Sequence, residues 1–318
     1  MILLREKELK LIVTGGCGFI GSHFVDLCVE KNDDLIILDS LLTGKMENII
    51  DSKKSGHIEF LNNDIRNLNE IKSKFIDADA IVHFAAYTGV MESLEKPLEF
   101  TDVNVMGTLN LLEICREFNI PKFILASTGA VYGNQIAPFH ETLIPDPLSP
   151  YAASKVAAEN FCKSYGNIYD ITATVLRFTN VYGPRKSFGP YANVIPKFVR
   201  SALRNSPVTI FGDGSQERDF VYVKDIAHAC YSALEKGKND IYNIGTGKNT
   251  SLTELINVLE ETMNYKFKKN FVDSRLGESK FAYSSIKKAQ DILSYNPKYT
   301  LKEGLLEYIE FEKNLVEN

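Results

Sequence analysis

The sequence predicts an α/β protein: a doubly wound parallel sheet with helices on both faces, followed by a smaller C-terminal lobe. Three observations support this. Short apolar runs alternate with helical stretches from residue 9 to residue 177, and a glycine-rich turn joins the first run to the first helix. Beyond Arg177 the pattern gives way to segments rich in Pro, Gly, Asn and Arg. Continuous apolar runs separated by helices mark strands buried on both faces, because parallel neighbours need a crossover connection.

The first run, Leu9 to Thr14 (LKLIVT), reads as a buried strand and leads directly into Gly15-Gly16-Cys17-Gly18-Phe19-Ile20-Gly21. Glycines at 15, 18 and 21 suit a tight turn, a close approach of backbone to a pyrophosphate, and close helix packing, in that order. The helix that follows, Phe19 to Glu30, would aim its N-terminal amides at the phosphates of a dinucleotide. A second strand, Leu35 to Leu38, ends in Asp39, about 20 residues past the glycines, where an acid can bond ribose hydroxyls. A helix N-cap or turn role for Asp39 stays open. Ser40 follows it, and a carboxylate there would repel a 2′-phosphate, so NAD is expected over NADP.

Further strands are expected at His57 to Leu61, Ala80 to Phe84, Lys122 to Ser127 and Ile171 to Arg177. Ligands of such sheets sit at the carboxyl ends of the strands. There lie Asn63-Asp64-Ile65, with Asp64 able to reach an adenine amino group, then the small pair Ala85-Ala86, and Ser127-Thr128. Leu98, Val105, Leu109, Leu112 and Cys115 recur at helical spacing, so Pro97 to Asn119 reads as one sheet-covering helix. Asn104 is its notable polar member, with a site role and simple backbone bonding both open. Later come a helix Val194 to Arg204, a strand or extended connector Arg218 to Lys224, a helix Asp225 to Lys236 and a strand Tyr242 to Gly245. Ser251 and Glu254 form a capping box for a helix Leu252 to Met263. The expected division is 1–177 with 219–245 returning to it, against 178–218 and 246–318.

With 318 residues, 44% hydrophobic, and a net charge of -5, the chain has no basic surplus to attract nucleic acid. No run approaches the roughly 18 apolar residues of a membrane span. The start, MILLREKELKLIVTGG, resembles neither a secretory nor a transit peptide, so a cytoplasmic location is expected. The five cysteines are scattered and never in CxxC spacing, which points to reduced, mostly buried thiols. The histidines are equally dispersed, and no metal site is expected.

The chemistry centres on Ser149-Pro150-Tyr151-Ala152-Ala153-Ser154-Lys155. If this stretch opens a helix, Tyr151 and Lys155 lie one turn apart on one face, and a nearby ammonium lowers a phenol's pKa from its usual value of about 10. Such spacing is common on solvated helix faces. Its weight comes from the glycine loop and from Ser127-Thr128: Thr128 can hydrogen-bond a substrate hydroxyl, Tyr151 can take its proton, and Lys155 can hold the phenolate and bond the nicotinamide ribose.

Ten ordered motifs, TGGCGFIGSH, LDSLLTGKMENI, DIRN, HFAA, NVMGTLNLLE, ASTGAVYGN, SPYAASK, LRFTNVYGPR, FGDGSQERDFVYVKD and RLGES, cover nearly the whole chain. In them it resembles the extended short-chain dehydrogenase/reductases, and among these the nucleotide-sugar epimerases of the UDP-glucose 4-epimerase type. The resemblance implies a Rossmann domain that holds NAD through Gly15, Gly18, Phe19, Ile20, Asp39, Asp64, Ile65, Ala85, Ala86, Asn104, Tyr151 and Lys155. It implies a UDP-sugar substrate met by Ser127 and Thr128, with its phosphates on Asn180, Arg218 and Arg275. The reaction implied is oxidation at C4, rotation of the 4-keto sugar and hydride return, with the cofactor regenerated in each turnover. A nucleotide-sugar 4-ketoreductase and a UDP-glucuronate epimerase are the alternatives. The related 4,6-dehydratases carry Asp-Glu where this chain has Gly129-Ala130, and the UDP-glucuronate decarboxylases carry Glu in place of Ala130. Both absences disfavour those reactions. At the position that gates the C2 substituent, alignment places Ala282, next to Tyr283; a small residue there admits N-acetylated sugars, and a simple packing role stays open. A homodimer is implied, paired through the helices Pro97–Asn119 and Tyr151–Gly166.

Overall fold

The computed structural model describes residues 8–186, 194–273 and 281–317. Its main sheet has seven strands. Six of them are β1 (Lys10–Thr14), β2 (Asp34–Asp39), β3 (Ile58–Asn62), β4 (Ala80–His83), β5 (Lys122–Thr128) and β6 (Thr172–Phe178), and the seventh is Ile241–Ile244. The order across the sheet is Ile241–Ile244, β6, β5, β4, β1, β2, β3. β1 pairs in parallel with both β2 and β4, so Thr14 stands opposite Leu38 on one side and His83 on the other. Strand order reverses between β1 and β4, and a crevice opens beyond the carboxyl ends at such a switch point.

The strands form where the sequence is apolar on both faces. Leu11, Ile12 and Val13 of β1 are completely buried, each worth about 1.5–3 kcal/mol relative to exposure. Leu111, Leu112 and Cys115 from one helix and Ala158 and Cys162 from another share a single buried cluster with Ile12, Ile81, Phe123 and Leu125 of the strands. The helix Phe19–Glu30 buries Phe24, Val25 and Cys28. All five cysteines are free thiols and buried.

The long segment departs from the expected single helix. It is α-helical over Pro97–Thr101, makes a π turn over Asp102–Met106, and is α-helical again over Gly107–Phe118, where Asn119 ends it in a left-handed conformation. A π turn inserts one extra residue and rotates everything upstream relative to the buried face. Leu98, expected on that face, is therefore 84% exposed, and Phe100 and Val103 take the buried positions.

The chain divides into two compact units. The first comprises residues 8–127, 149–176 and 227–241, and includes β1 to β4. The second comprises residues 128–148, 177–226 and 242–317. Within the second, Asn180–Tyr182 pairs in parallel with Phe220–Tyr222, and Val208–Phe211 with Lys269–Val272. Glu217–Arg218 lies between Thr250–Ser251, antiparallel, and Phe281–Ala282, parallel. Ser251 caps the helix Leu252–Met263, its hydroxyl accepting from the Glu254 amide at 3.0 Å. Among the described residues, no helix is long and apolar enough to cross a membrane.

Candidate active site

The turn after β1 can exist only with glycine at its key positions. Gly15 has φ +70°, and a Cβ there would lie 2.6 Å from the Ala85 amide nitrogen; a Cβ on Gly21 would lie 2.2 Å from the Gly15 carbonyl oxygen. The backbone is thus pressed between the end of β4 and the start of the helix Phe19–Glu30. Ile20 lies in that helix's first turn, which has no side-chain cap and no acid. That is the arrangement of dipole and main chain that suits a phosphate.

Beside this turn runs an open cleft lined by Gly15, Gly18, Asp39, Asp64, Ile65, Ala85 and Ala86 among others. Seven of the residues singled out from sequence therefore share one surface. The Asp39 carboxylate accepts from the main-chain amides of Cys17 and Leu41, both at 2.9 Å, which fixes its orientation at the end of β2. Burial raises its pKa, and these two amides work against the rise. Asp64 is gripped by Arg66, Nε on Oδ1 at 3.0 Å and Nη2 on Oδ2 at 2.7 Å, while Arg66 Nη1 reaches Asp102 at 2.8 Å. The guanidinium holds the Asp64 carboxyl below the usual range.

Thr14 and His83, at the ends of β1 and β4, belong to a buried polar chain whose direction can be worked out. Thr108 Oγ1 donates to the Asn104 carbonyl at 2.6 Å, so it must accept from His83 Nε2 at 3.0 Å. His83 Nδ1 then accepts from Thr14 Oγ1 at 2.7 Å, and Thr14 Oγ1 in turn accepts from the Ala85 amide at 3.3 Å. Burial, reinforced by the charge of Lys155, drives the His83 pKa well down, so the ring is neutral. Asn104 is buried in the π turn. Its Oδ1 accepts from Tyr87 N at 2.8 Å, and its Nδ2 donates to Tyr87 O at 3.0 Å and to Ser154 Oγ at 2.9 Å. Of the two roles left open for Asn104, backbone bonding is present.

The Tyr151 segment is a helix, Pro150–Ile168, capped by the Ser149 hydroxyl accepting from Ala152 N at 3.2 Å and opened by Pro150 in its first turn. Both residues are helix-start signals. The Tyr151 ring meets the edge of Phe100 in a T-shaped contact with centroids 6.3 Å apart. Ser154, bonded by Asn104, donates to the Tyr151 carbonyl at 2.8 Å. Lys155 is 3% exposed, and burial pushes its pKa down to about 8 against the upward pull of Glu159. Glu159 is also 3% exposed and accepts from the Ser127 hydroxyl at 2.5 Å. A phenol and an ammonium spaced four residues apart on one helix lie on the same face of it.

In the second unit, Thr128 ends β5 and caps the short turn Gly129–Tyr132, its Oγ1 accepting from Ala130 N at 3.1 Å. A Cβ on Gly129 would touch only the Phe178 carbonyl oxygen, at 3.5 Å, so the missing carboxylates are not a consequence of crowding at that position. The Asn180 amide and its Nδ2 both donate to the Asp219 carbonyl, at 3.0 and 3.3 Å. Asp219 is fully buried, pushed up to about 6 by burial, and bound by Thr246 N, Thr246 Oγ1 and Gly247 N. Ala282 stands opposite Arg218 in the register of a parallel pair. Arg275 lies outside the described residues. His83, Asp219 and Glu159 are not singled out by the sequence. Only Glu159 leaves a usable signal there, a carboxylate four residues beyond Lys155.

The profile of the NAD dependent epimerase/dehydratase family matches residues 11–245. The UDP-glucuronate 4-epimerase of Thermodesulfobacterium geofontis is 36% identical over 96% of this chain and 97% of its own. The crystal structure of UDP-glucose 4-epimerase from Thermotoga maritima, with UDP-glucose, superposes with a TM-score of 0.91 at 35% identity, covering 97% of this chain and all of the other. The UDP-N-acetylglucosamine 4-epimerase of Methanobrevibacter ruminantium, in complex with UDP-N-acetylmuramic acid, gives 0.93 at 33% identity over 98% of this chain and all of the other. With its glycine turn, its seven-stranded parallel sheet and its Tyr151–Lys155 helix, the chain belongs to the NAD dependent epimerase/dehydratase family.

Proposed function

We propose that this protein is a UDP-hexose 4-epimerase that works through a transient 4-keto sugar. The observation that carries the reading is the Tyr151–Lys155 pair on a buried helix face, combined with Gly129-Ala130 where elimination would need acids. Gly15, Gly18, Phe19 and Ile20 hold the cofactor's pyrophosphate, Asp39 its adenosine ribose and Asp64 its adenine, while Ile65, Ala85 and Ala86 line the cleft. The fit is supported by glycines whose Cβ atoms would fill the turn. Bound there, NAD supplies a hydride acceptor that gives the hydride back in the same turnover. Thr128 bonds the sugar hydroxyl, Tyr151 removes its proton and later returns it, and Lys155 favours the phenolate and bonds the nicotinamide ribose. Asn180, Arg218 and Arg275 take the diphosphate, where a guanidinium can donate two bonds at once. Ser127 serves the substrate side by orienting Glu159, and Asn104 serves the cofactor side by fixing Tyr87.

The small side chain of Ala282 next to Arg218 in register supports a site open to N-acetylhexosamines as well as plain hexoses. The test is incubation of the purified protein with UDP-glucose, UDP-N-acetylglucosamine and UDP-glucuronate, separately and without added cofactor. Interconversion of UDP-glucose with UDP-galactose, with NAD among the nucleotides released on denaturation, is the expected result. Failure to interconvert any pair refutes the reading, and steady consumption of added NADH or NADPH assigns a net 4-ketoreductase instead. A homodimer belongs to the same proposal. Met91, Leu94, Leu98 and Met106 are 47% to 84% exposed along the helical stretch from residue 90 to 106, which supports a covered face there. A monomer by light scattering would refute it.

A further inference from the structure

We infer that Glu159 is a positioning residue for the reaction: it is the buried counter-charge that keeps the Lys155 ammonium protonated, so that the proton chemistry of Tyr151 depends on a carboxylate two turns further along its own helix. The inference rests on Tyr151 being the base. Tyr151, Lys155 and Glu159 are spaced four residues apart and form one stripe on the helix Pro150–Ile168. Lys155 and Glu159 are each 3% exposed, so neither charge is hydrated as it would be at the surface. A buried ammonium either finds a partner or gives up its proton.

The other titratable groups that act on Lys155 cannot supply the partner charge. His83, on β4, is held neutral by its own burial and in its charged form would repel the lysine. Cys162, one turn beyond Glu159, is a thiol whose pKa burial raises far above its ordinary value. Tyr151 becomes anionic only during the proton transfer that the lysine is there to assist. Glu159 remains, and its carboxylate is held ready to balance the lysine. The Ser127 hydroxyl donates to Oε1 at 2.5 Å and so aims the group from the end of β5. A carboxylate kept only for helix packing would not need two buried charges one turn apart and a third side chain to orient one of them.

The experiment uses the full-length protein and Glu159→Gln, which keeps the shape and a hydrogen-bonding group for Ser127 but removes the charge, with Glu159→Asp as the charge-conserving control. In kcat against pH, the alkaline limb of the Gln variant moves towards neutral by about one pH unit or more, while the Asp variant keeps the wild-type limb whatever its absolute rate. A second readout needs no activity. Lys155 is depressed to about 8 from an ordinary 10.5, so the unfolded chain binds more protons between those values, and the contribution of this group to Tm rises with pH across that window. In the Gln variant the lower edge of the window moves down by about one unit, so its Tm gains on the wild type between pH 7 and 8. An inactive wild type that still shows this Tm shift refutes the catalytic reading and leaves the counter-charge intact. An active wild type whose Gln variant loses rate equally at every pH, with no change in the Tm profile, overturns the inference. Should the Gln variant fail to fold, Glu159→Met replaces it. Should both fail at pH 7, recovery of folding at pH 9 is the expected result, because a neutral lysine needs no counter-charge, and failure at both pH values overturns the proposal.

Discussion

Asn104→Ala tests whether the π turn is a structural clamp on the helix Pro150–Ile168. The amide makes three hydrogen bonds, to Tyr87 N at 2.8 Å, Tyr87 O at 3.0 Å and Ser154 Oγ at 2.9 Å, from a position 1% exposed. At about 1 kcal/mol net each, the loss is about 3 kcal/mol, a large part of a typical domain stability of about 5–15 kcal/mol. Asn104→Asp sharpens the test. It keeps the acceptor for Tyr87 N but turns the donor into an oxygen facing the Tyr87 carbonyl, so at neutral pH it costs at least as much as the alanine. When protonated, the introduced carboxyl can donate to that carbonyl again. Its folded-state pKa is therefore raised above the unfolded value of about 3.9; the stability it restores is present below that value and is lost as pH rises through the folded one. Urea titrations followed by far-UV circular dichroism suit a chain that has no tryptophan. A loss below about 1 kcal/mol for the alanine variant, or a deficit of the Asp variant that is flat between pH 4 and pH 7, would refute the clamp.

Tyr151→Phe is expected to lower interconversion by about 10²–10⁴-fold, the usual contribution of a general acid–base group, while NAD is still recovered on denaturation; undiminished turnover would show that the base is another residue. Gly44→Ala places a methyl 2.8 and 2.9 Å from the two Asp39 carboxylate oxygens. It should weaken NAD retention on dialysis about tenfold, the effect of a misplaced bond worth about 1.4 kcal/mol, with helix content by circular dichroism unchanged; full retention would separate Asp39 from the cofactor. Ala282→Tyr should depress turnover of UDP-N-acetylglucosamine by at least about tenfold relative to UDP-glucose, as expected of a pocket that loses room for a small group. An unchanged ratio of the two kcat/KM values would remove Ala282 from the pocket.

The features readable from sequence are those governed by local rules. β1, β2 and β4 announce themselves as apolar runs because both of their faces are buried, and the glycines at 15 and 21 because no other residue tolerates contacts of 2.2 to 2.6 Å with main-chain atoms there. The Ser149-Pro150 start of the helix Pro150–Ile168 is local too, a cap followed by a ring that fits the first turn. Legibility ends where the geometry depends on distant contacts. Leu98 falls off the expected face because a constant helical period has no means of foreseeing a π turn, from which Asn104 here bonds Tyr87 and Ser154. Asp219 is a buried carboxylate, and in a sequence such a residue looks the same as the many acids on the surface. The strands Glu217–Arg218, Thr250–Ser251 and Phe281–Ala282 are two residues each, too short for any alternation to show.

The polar residues buried around the helix Pro150–Ile168 follow from one physical demand. On the function proposed above, Tyr151 ionises near neutral pH and needs a cation close by, and a cation that is close but hydrated would be screened to little effect. Lys155 is therefore buried, and its burial creates a cost that the neighbouring elements must offset. Charge is balanced from within the helix by Glu159, which β5 steadies through Ser127. Position is fixed from the π turn by Asn104, through Ser154 to the Tyr151 carbonyl. A second positive charge is kept away by making His83 neutral, with each ring nitrogen committed to a threonine. These three devices come from β5, the π turn and β4, the elements that also shape the carboxyl edge of the sheet. That shared origin explains why the cleft beside the glycine turn and the Tyr151 segment should respond together when any of the three is altered.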